Sequence, residues 1–399
     1  MKQDCEGHDP QIDEILNRAL DGRPPTKDES CALINTNLND LQDVVQVAST
    51  IRDREKGLRI SYSKKVFIPL TNMCRNRCGY CGFRKDPEHP EARIMSPEEI
   101  LNLARKGDES GCKEALFVLG EAPEYEHPKA RNYLQRLGYS TIIEYLRDMC
   151  EMVTCQTHLL PHSNPGVLSN EDLAILKDVN ASMGLMLESS SKRLCNRGGA
   201  HEHSPGKNPE VRLRSIEVAG QLKIPFTTGI LIGVGETLEE RIDSLFDLKL
   251  LHDKYRHIQE IIIQNFKAQP QTPMELAPQP TMIDMVKTVA AARLIFQGKT
   301  NIQSPPNLLQ GAYRDLLCAG INDWGGVSNL TKDLVNPEAP WPEIDTLRKV
   351  TNEAGFELIL RLPVYPEYIV RMDGYLPSSL EEKIRSQVDS EGFARGPAA

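Results

Sequence analysis

The sequence predicts an α/β fold: a TIM-like (β/α) barrel of six to eight strands with an N-terminal helical extension. From about residue 64 onward, short apolar runs alternate with amphipathic helices at intervals of about 30–40 residues, which is typical of βαβ units in a parallel sheet. Right-handed crossovers repeated this often close most economically into a barrel. A chain of 399 residues accommodates such a barrel with extensions at both ends. A doubly wound open sheet would give the same periodicity and remains open.

Three segments follow from this pattern. Residues 1–60 are expected to form the helical extension, and residues 61–335 the barrel. Residues 336–399 are expected to form a C-terminal extension containing helix and strand. Within it, a short helix is predicted near 379–388, followed by a frayed tail rich in small and polar residues.

The elements can be placed in order. In the extension, Pro10 opens one helix, a capping box at Thr26 opens a second, and a third ends before Gly57. The predicted strands are the apolar runs at 66–70, 114–119, 156–160, 181–187, 226–232, 258–264, 301–304 and 319–322. The predicted helices between them begin at Ser96 and Ser169 or lie near 141–149, 209–222, 238–252 and 282–296.

The composition narrows the class of protein. The 47 basic and 56 acidic residues leave a formal net charge of −9, which argues against nucleic acid or an anionic membrane as the main partner. No apolar run is long enough to predict a membrane-spanning helix. Asp4 and Glu6 stand near the start without an apolar run after them, so no signal peptide is expected. Ten cysteines in a chain of this length indicate reduced thiols and a cytoplasmic location.

The most informative segment follows the first predicted strand and reads TNMCRNRCGYCGFR. Its cysteines, Cys74, Cys78 and Cys81, have the spacing CxxxCxxC. Three thiolates at this spacing can hold one side of an iron–sulfur cube if the backbone between them turns sharply, which Gly79 and Gly82 permit. Three ligands would leave one iron open to a substrate or cosubstrate.

Two other interpretations of these cysteines remain open. The spacing also fits one face of a helix, although the glycines and arginines within it disfavour an apolar stripe. A zinc site would need a fourth ligand, for which Cys155 and His158 are the candidates. A zinc- or cluster-stabilised protein without catalytic activity is therefore an alternative.

A wider set of motifs points to one family. The CxxxCxxC spacing, with Tyr80 before the last cysteine and a strand before the first, resembles the signature of the radical S-adenosylmethionine superfamily. Six further stretches are Phe67–Asn72, Pro161–Gly166, Ser204–Lys207, Thr227–Gly233, Ile263–Phe266 and Asn322–Ser328. Together they resemble CofG, the first-subunit family of 7,8-didemethyl-8-hydroxy-5-deazariboflavin synthase. The resemblance covers roughly residues 62–370 and departs at Asn329, where a proline is expected. It implies a TIM-like barrel, a [4Fe–4S] cluster and S-adenosylmethionine.

The resemblance also implies cofactor contacts. Gly120 and Glu121 match the motif that meets the amino group of S-adenosylmethionine, and Arg212 matches the position that pairs with its carboxylate. Glu188 matches a carboxylate that reaches the ribose or the amine. Tyr80 is placed among the same contacts.

Further candidates lie on later strands. Gly229, Ile232 and Gly233 belong to the glycine-rich stretch that the resemblance places against adenine. The substrate-side candidates, whose amide groups and indole suit a pyrimidine ring and a ribityl chain, are Asn164, Gln264, Asn265, Asn307 and Trp324. His162 or Asp323 is expected to be the general acid or base.

The implied activity is a radical cyclisation of a small molecule. A 5′-deoxyadenosyl radical would take a hydrogen atom from the tyrosine-derived hydroxybenzyl adduct of 5-amino-6-ribitylaminouracil, and cyclisation, loss of ammonia and oxidation would follow. Since the chain contains one CxxxCxxC, a separate sister radical subunit is expected to supply the adduct. A ferredoxin or flavodoxin is expected to supply electrons. A related radical enzyme of another cofactor pathway is the alternative.

Overall fold

The computed structural model describes residues 9–309 and 311–396, so the segment around Asp4 and Glu6 lies outside the described residues, as do Cys5 and residues 397–399. The strands are β1 (Arg59–Thr71), β2 (Glu114–Leu119), β3 (Leu160–Asn164), β4 (Ser182–Gly184), β5 (Phe226–Ile232), β6 (Ile258–Asn265), β7 (Asn301–Gln303), β8 (Asp323–Val327) and β9 (Glu357–Arg361). The helices are α1 (Pro10–Leu20), α2 (Lys27–Asn35), α3 (Leu38–Lys56), α4 (Pro97–Glu109), α5 (Pro123–Glu126), α6 (Pro128–Arg136), α7 (Ile142–Gln156), α8 (Asn170–Lys177), α9 (Pro209–Gln221), α10 (Leu238–Tyr255), α11 (Met282–Phe296), α12 (Tyr313–Ala319), α13 (Ile344–Glu353), α14 (Pro366–Val370) and α15 (Glu381–Ser386).

Strands β1 to β8 form a closed parallel barrel in sequence order, because β1 pairs with both β2 and β8. The predicted TIM-like α/β fold is therefore confirmed, and the open doubly wound sheet is excluded. The long strand β1 has a second neighbour on its β2 side. From Lys65 onward it pairs with β2, whereas its first residues pair with β9, which ends with Arg361 opposite Ser63. β9 thus lies at the amino-terminal end of the barrel, beside the part of β1 that precedes its pairing with β2.

Local sequence signals fix where many helices begin. Helices α2, α4, α7, α8, α10 and α11 each start with a capping box, in which a Ser or Thr side chain and an acidic side chain three residues later cap each other's backbone N–H groups. These boxes fix the residue at which each helix begins.

The N-terminal helices pack on the outside of the barrel. Leu33 of α2 joins Leu294 of α11 in one apolar cluster. Arg52 of α3 is fully buried, and its Nη1 donates to the carbonyl oxygens of Leu317 and Ile321 at 2.8 Å each. The extension is thus tied to the helices that cover β7 and β8.

Two predicted strands begin too early. Residues 156–160 were expected as a strand, but α7 continues to Gln156 and β3 starts at Leu160. Residues 319–322 were expected as another, but they contain the end of α12 and its left-handed cap Gly320, with φ of 107°. The strand itself, β8, starts at Asp323. At α12 the last helical turn is itself apolar, so the apolar run began inside the helix.

The remaining expectations concern the surface and the end of the chain. Of the helices in residues 9–309 and 311–396, none is long and apolar enough to cross a membrane. The helix expected near 379–388 forms as α15.

Candidate active site

A cavity of about 380 Å³ runs inside the barrel from the carboxyl ends of the strands toward the level where β9 ends. Its upper wall, called the mouth below, is formed by side chains from the segments that follow strand ends and from the first turn of α9: Cys74, Cys78, Cys81, Glu121, Glu188 and Arg212. Its lower wall, called the floor, is formed by side chains on the strands themselves: Lys65, Glu114, His162, Glu260 and Arg361. The catalytic face of a (β/α) barrel is the carboxyl end, so the mouth is where chemistry is expected.

The three cysteines of the loop after β1 all line the mouth. Cys74 Sγ accepts hydrogen bonds from the backbone N–H groups of Asn76 at 3.4 Å and Glu121 at 3.2 Å. Burial raises the pKa of Cys74 to about 11 and also raises that of Cys81. Buried thiols of this kind become thiolates when a metal centre supplies positive charge, and the N–H donors stabilise that form.

A second loop, residues 200–207, holds the cysteine loop in place. Backbone N–H groups of Arg77 and Gly79 donate to its carbonyls at 3.0 and 2.8 Å. The Ser204 hydroxyl lies 3.4 Å from Cys78 Sγ and can donate to it. The geometry of the cysteines therefore depends on a segment more than 120 residues away in sequence, which CxxxCxxC spacing alone does not show.

Gly120 and Glu121 lie directly against the cysteine loop. A Cβ on Gly120 would stand 2.0 Å from the carbonyl oxygen of Met73, so only glycine fits there. The buried Glu121 carboxylate accepts from Arg75 Nε at 2.8 Å and from the Val167 N–H at 3.0 Å. It presents a fixed negative charge at the mouth.

Glu188 and Arg212 stand together on another side of the mouth. Glu188 has a left-handed backbone, with φ of 66°, an uncommon conformation for a residue with a side chain. Burial opposes its ionisation, but the nearby cations Lys207 and Arg212 lower its pKa below the usual value. Arg212 donates to two main-chain carbonyls at 2.6 and 2.7 Å. Tyr80 also lines the cavity, with its hydroxyl 3.2 Å from His201 Nε2.

The glycine-rich stretch of β5 has a packing role in the structure. Gly229, Ile232 and Gly233 are not part of the cavity wall. A Cβ on Gly229 would stand 2.1 Å from the carbonyl oxygen of Ile262, and one on Gly233 would stand 2.4 Å from Pro280 Cδ. The two glycines thus let neighbouring segments approach closely.

Four of the substrate-side and acid–base candidates line the cavity: His162, Asn164, Gln264 and Asn265. His162 is buried, with Nδ1 2.6 Å from the Ser182 hydroxyl and Nε2 3.2 Å from Asn164 Oδ1. Burial lowers its pKa, so it is neutral at physiological pH. Asn265 Oδ1 is buried without a hydrogen-bond partner in the described residues, as expected for an atom that meets a ligand.

Three other candidates lie outside the cavity wall. Asp323 is fully buried and accepts from Arg361 Nε at 2.6 Å and Nη2 at 2.9 Å, so its carboxylate is already engaged. Trp324 is also fully buried and donates from Nε1 to Thr351 Oγ1 at 3.1 Å, toward the helices around the barrel. Asn307 donates to a carboxylate of the following loop at 2.9 Å. A continuous apolar run does not indicate which face of a strand each side chain occupies.

Sequence reasoning missed most of the floor. Lys65 and Glu114 stand at the edges of predicted strands, and Glu260 stands inside one, yet all three point into the barrel. Burial raises the pKa of Glu260, whose carboxylate accepts from the Tyr365 hydroxyl at 2.7 Å. An ionisable residue within an otherwise apolar run could have indicated these positions. A buried charge is costly, so it is expected there only with a partner or a function.

The donor set at the mouth fits an iron–sulfur cluster better than a single metal ion. Three partly buried thiols line one cavity, with hydrogen-bond donors at two of the sulfurs. Within residues 9–309 and 311–396, no group of three or more His, Cys, Asp or Glu side chains is arranged to hold one ion. The proposed fourth zinc ligands are elsewhere: Cys155 is exposed, and His158 Nδ1 lies 3.1 Å from Asp108.

Known proteins resemble this chain over nearly all of its length. A family model described as the radical SAM superfamily matches residues 68–248. The 7,8-didemethyl-8-hydroxy-5-deazariboflavin synthase of Methanopyrus kandleri is 52% identical, over 84% of this chain and 100% of that protein. The synthase of the same name from Methanocaldococcus jannaschii is 47% identical, over 93% and 99%. The FO synthase of Streptomyces avermitilis is 46% identical over 96% of this chain but only 46% of its own length.

Solved structures show the same fold at much lower identity. The FeFe-hydrogenase maturase HydG from Carboxydothermus hydrogenoformans is 19% identical and superposes with a TM-score of 0.72, covering 94% of this chain and 87% of that one. Methylornithine synthase (PylB) is 20% identical, with a TM-score of 0.66 over 86% and 97%. These structures show the fold alone. By its sequence matches, the chain belongs to the radical SAM superfamily and, within it, to the 7,8-didemethyl-8-hydroxy-5-deazariboflavin synthase family. The enzymes of this family use a [4Fe–4S] cluster and S-adenosylmethionine.

Proposed function

We propose that this enzyme closes the central ring of 7,8-didemethyl-8-hydroxy-5-deazariboflavin. Its substrate would be the tyrosine-derived hydroxybenzyl adduct of 5-amino-6-ribitylaminouracil, and ammonia would be released. The observation that carries the proposal is 52% identity over the whole length of a synthase of that name. The cavity supports it, because cysteines, charged groups and amides suited to cofactor and substrate line one cavity.

The residues of the mouth would hold the cofactors. Cys74, Cys78 and Cys81 would bind three irons of the cluster and leave the fourth open. Once bound, the cluster and S-adenosylmethionine supply an electron and a 5′-deoxyadenosyl radical. Arg212 is suited to orient a carboxylate, since a guanidinium matches its geometry, and Glu121 is suited to orient an amino group.

The residues below the mouth would hold the substrate. His162, Asn164, Gln264 and Asn265 present donors and acceptors that suit a pyrimidinedione and a ribityl chain. Their position inside the barrel would limit the access of water to the radical and so its loss to side reactions.

Two partners and a location belong to the same proposal. A sister polypeptide would make the adduct, since this chain has one CxxxCxxC and spans 46% of the longer FO synthase. A ferredoxin or flavodoxin would deliver the electron. The ten cysteines suit the reducing environment of the cytoplasm.

The direct test is anaerobic incubation of the iron-loaded protein with reductant, S-adenosylmethionine and the adduct. We expect 5′-deoxyadenosine, ammonia and deazaflavin fluorescence to appear together. Cys81→Ser should lose the visible absorbance of the cluster and all three products, whereas Cys155→Ser, an exposed cysteine away from the cavity, should retain them. Deoxyadenosine without fluorescence would indicate another substrate, and a colourless wild-type protein without products would indicate a non-catalytic role.

A further inference from the structure

Lys65 is a buried cation that lies near aromatic rings. Its side chain lies on β1 at the floor, and the residue is 8% exposed. In the described parts of the chain, no oxygen atom forms a hydrogen bond or ion pair with its Nζ. A buried ammonium group is costly without an acceptor, so a lysine kept in this state indicates a ligand or a chemical role.

The barrel is built to make room for this side chain. Lys65 Nζ lies 4.9 Å from the ring centroid of Trp341 and 5.8 Å from that of Phe67. A Cβ on Gly326 would stand 2.3 Å from both Cδ and Nζ of the lysine. Gly326 belongs to the NDWGGVS stretch that carries part of the family resemblance. That glycine thus keeps open the space that Lys65 occupies.

The surroundings set the lysine apart from the other charged groups of the floor. The ionisable groups that face it are Glu114, His162, Glu260, Asp333 and Arg361. Burial lowers the pKa of Lys65 and the carboxylates only partly offset this. The other cation of the floor, Arg361, is paired with Asp323, whereas Lys65 has its ammonium available to a ligand.

We propose that Lys65 is the acid–base residue for ammonia release, a role that rests on the proposed function. The ammonium group donates a proton to the departing amine nitrogen of the substrate. The carbon–nitrogen bond breaks with its electron pair on nitrogen, and ammonia leaves. Neutral Lys65 then takes the proton of the neighbouring carbon, whose C–H electron pair forms the new double bond. The lysine is ammonium again, and this step neither gains nor loses electrons.

The experiment compares Lys65→Met and Lys65→Arg with the wild type, using quenched anaerobic reactions. Both variants should bind the adduct and form 5′-deoxyadenosine, yet release ammonia and deazaflavin about 10²- to 10⁴-fold more slowly. Arginine should fail as well because its guanidinium does not give up a proton. Lys64→Met is the matched control: Lys64 is the next residue, and its Nζ donates to the Ser110 carbonyl at 2.5 Å outside the barrel.

Wild-type protein provides a readout that needs no variant. Ammonia release should slow as pH rises through the lowered pKa of the lysine, because only the ammonium form donates. The role is overturned if the rate of ammonia release does not fall at high pH, or if either variant keeps the wild-type rate. It is also overturned if Lys65→Met loses adduct binding in calorimetry, because the lysine would then act through substrate affinity. Wild-type protein that makes deoxyadenosine but no ammonia would contradict the proposed function and this role with it.

Discussion

The mouth and the floor of the cavity both bury charge, but they do so on different parts of the fold. At the mouth, Glu121 and Glu188 follow strand ends, and each pairs with a cation from a neighbouring loop. At the floor, the charges sit on strands, and Asp323 receives two parallel donors from Arg361. Loops can shift to exchange one partner for a ligand, whereas strand positions are set by register. The mouth is therefore suited to admit charged cofactors, and the floor to hold a fixed shape.

The largest expected effect is a loss of folding stability when the buried ion pair between Asp323 and Arg361 is broken. Asp323→Asn should lower the free energy of unfolding by about 3–5 kcal/mol, because it removes the carboxylate that meets the buried Arg361 at 2.6 Å and leaves only Glu260, at 3.4 Å, to offset the guanidinium charge. Glu188→Gln should cost less, since its partner Lys207 is partly exposed and can turn toward solvent. Denaturant unfolding of both variants measures the difference.

An exposed ion pair provides the reference for that measurement. Glu381→Gln removes a surface partner of Arg385 on α15 and should change the free energy of unfolding by about 0.5 kcal/mol. Equal losses for the mouth and floor variants would contradict the distinction between them. If Asp323→Asn folds with wild-type stability but loses activity, the sequence-based assignment of Asp323 as an acid or base regains support.

The same distinction explains what the sequence could predict. The cysteine motif and Glu121 lie in loops and Arg212 lies in the first turn of α9, and spacing and resemblance predict all of them. Floor residues such as Lys65 and Glu260 are isolated ionisable residues in or beside apolar runs. Only the closed barrel shows that their side chains point inward together. The barrel itself was predictable because strand–helix alternation is a local signal. The pairing of β9 with the first residues of β1 is a long-range contact, and no local pattern indicated it.

Strand β8 illustrates the limit at finer scale. Trp324 and Asp323 were expected at the site because both stand in a recognisable stretch, but one points outward and the other is held by Arg361. Successive side chains on a strand face opposite sides, so an error of one or a few residues in where β8 begins changes which side chains enter the barrel.

A smaller effect is expected from filling the space beside each glycine. Gly326→Ala at the floor should push Lys65 aside, lower the free energy of unfolding by about 1–3 kcal/mol, and slow ammonia release while deoxyadenosine still forms. Gly206→Ala at the mouth would place a Cβ 1.9 Å from Glu121 Oε1 and should weaken S-adenosylmethionine binding instead. Gly396→Ala, which meets no neighbouring atom, is the control. Identical product patterns for the first two variants would contradict separate roles for mouth and floor.

The smallest effect concerns acid stability and involves one histidine from each region. Burial lowers the pKa of His162 at the floor, and it lowers that of His201 near the mouth to about 3. An unfolded histidine has a pKa of about 6.5. Below that pH the unfolded chain therefore binds more protons than the folded chain does. Stability is therefore full above about pH 6.5 and falls as the pH drops, by at most about 1.4 kcal/mol per pH unit for each histidine. His162→Gln and His201→Gln should each flatten this slope in unfolding experiments between pH 7 and 5, while His89→Gln, at the surface, should leave it unchanged. An unchanged slope in His162→Gln would show that the floor admits a proton on this ring, and so that it is less rigid than its strand positions indicate.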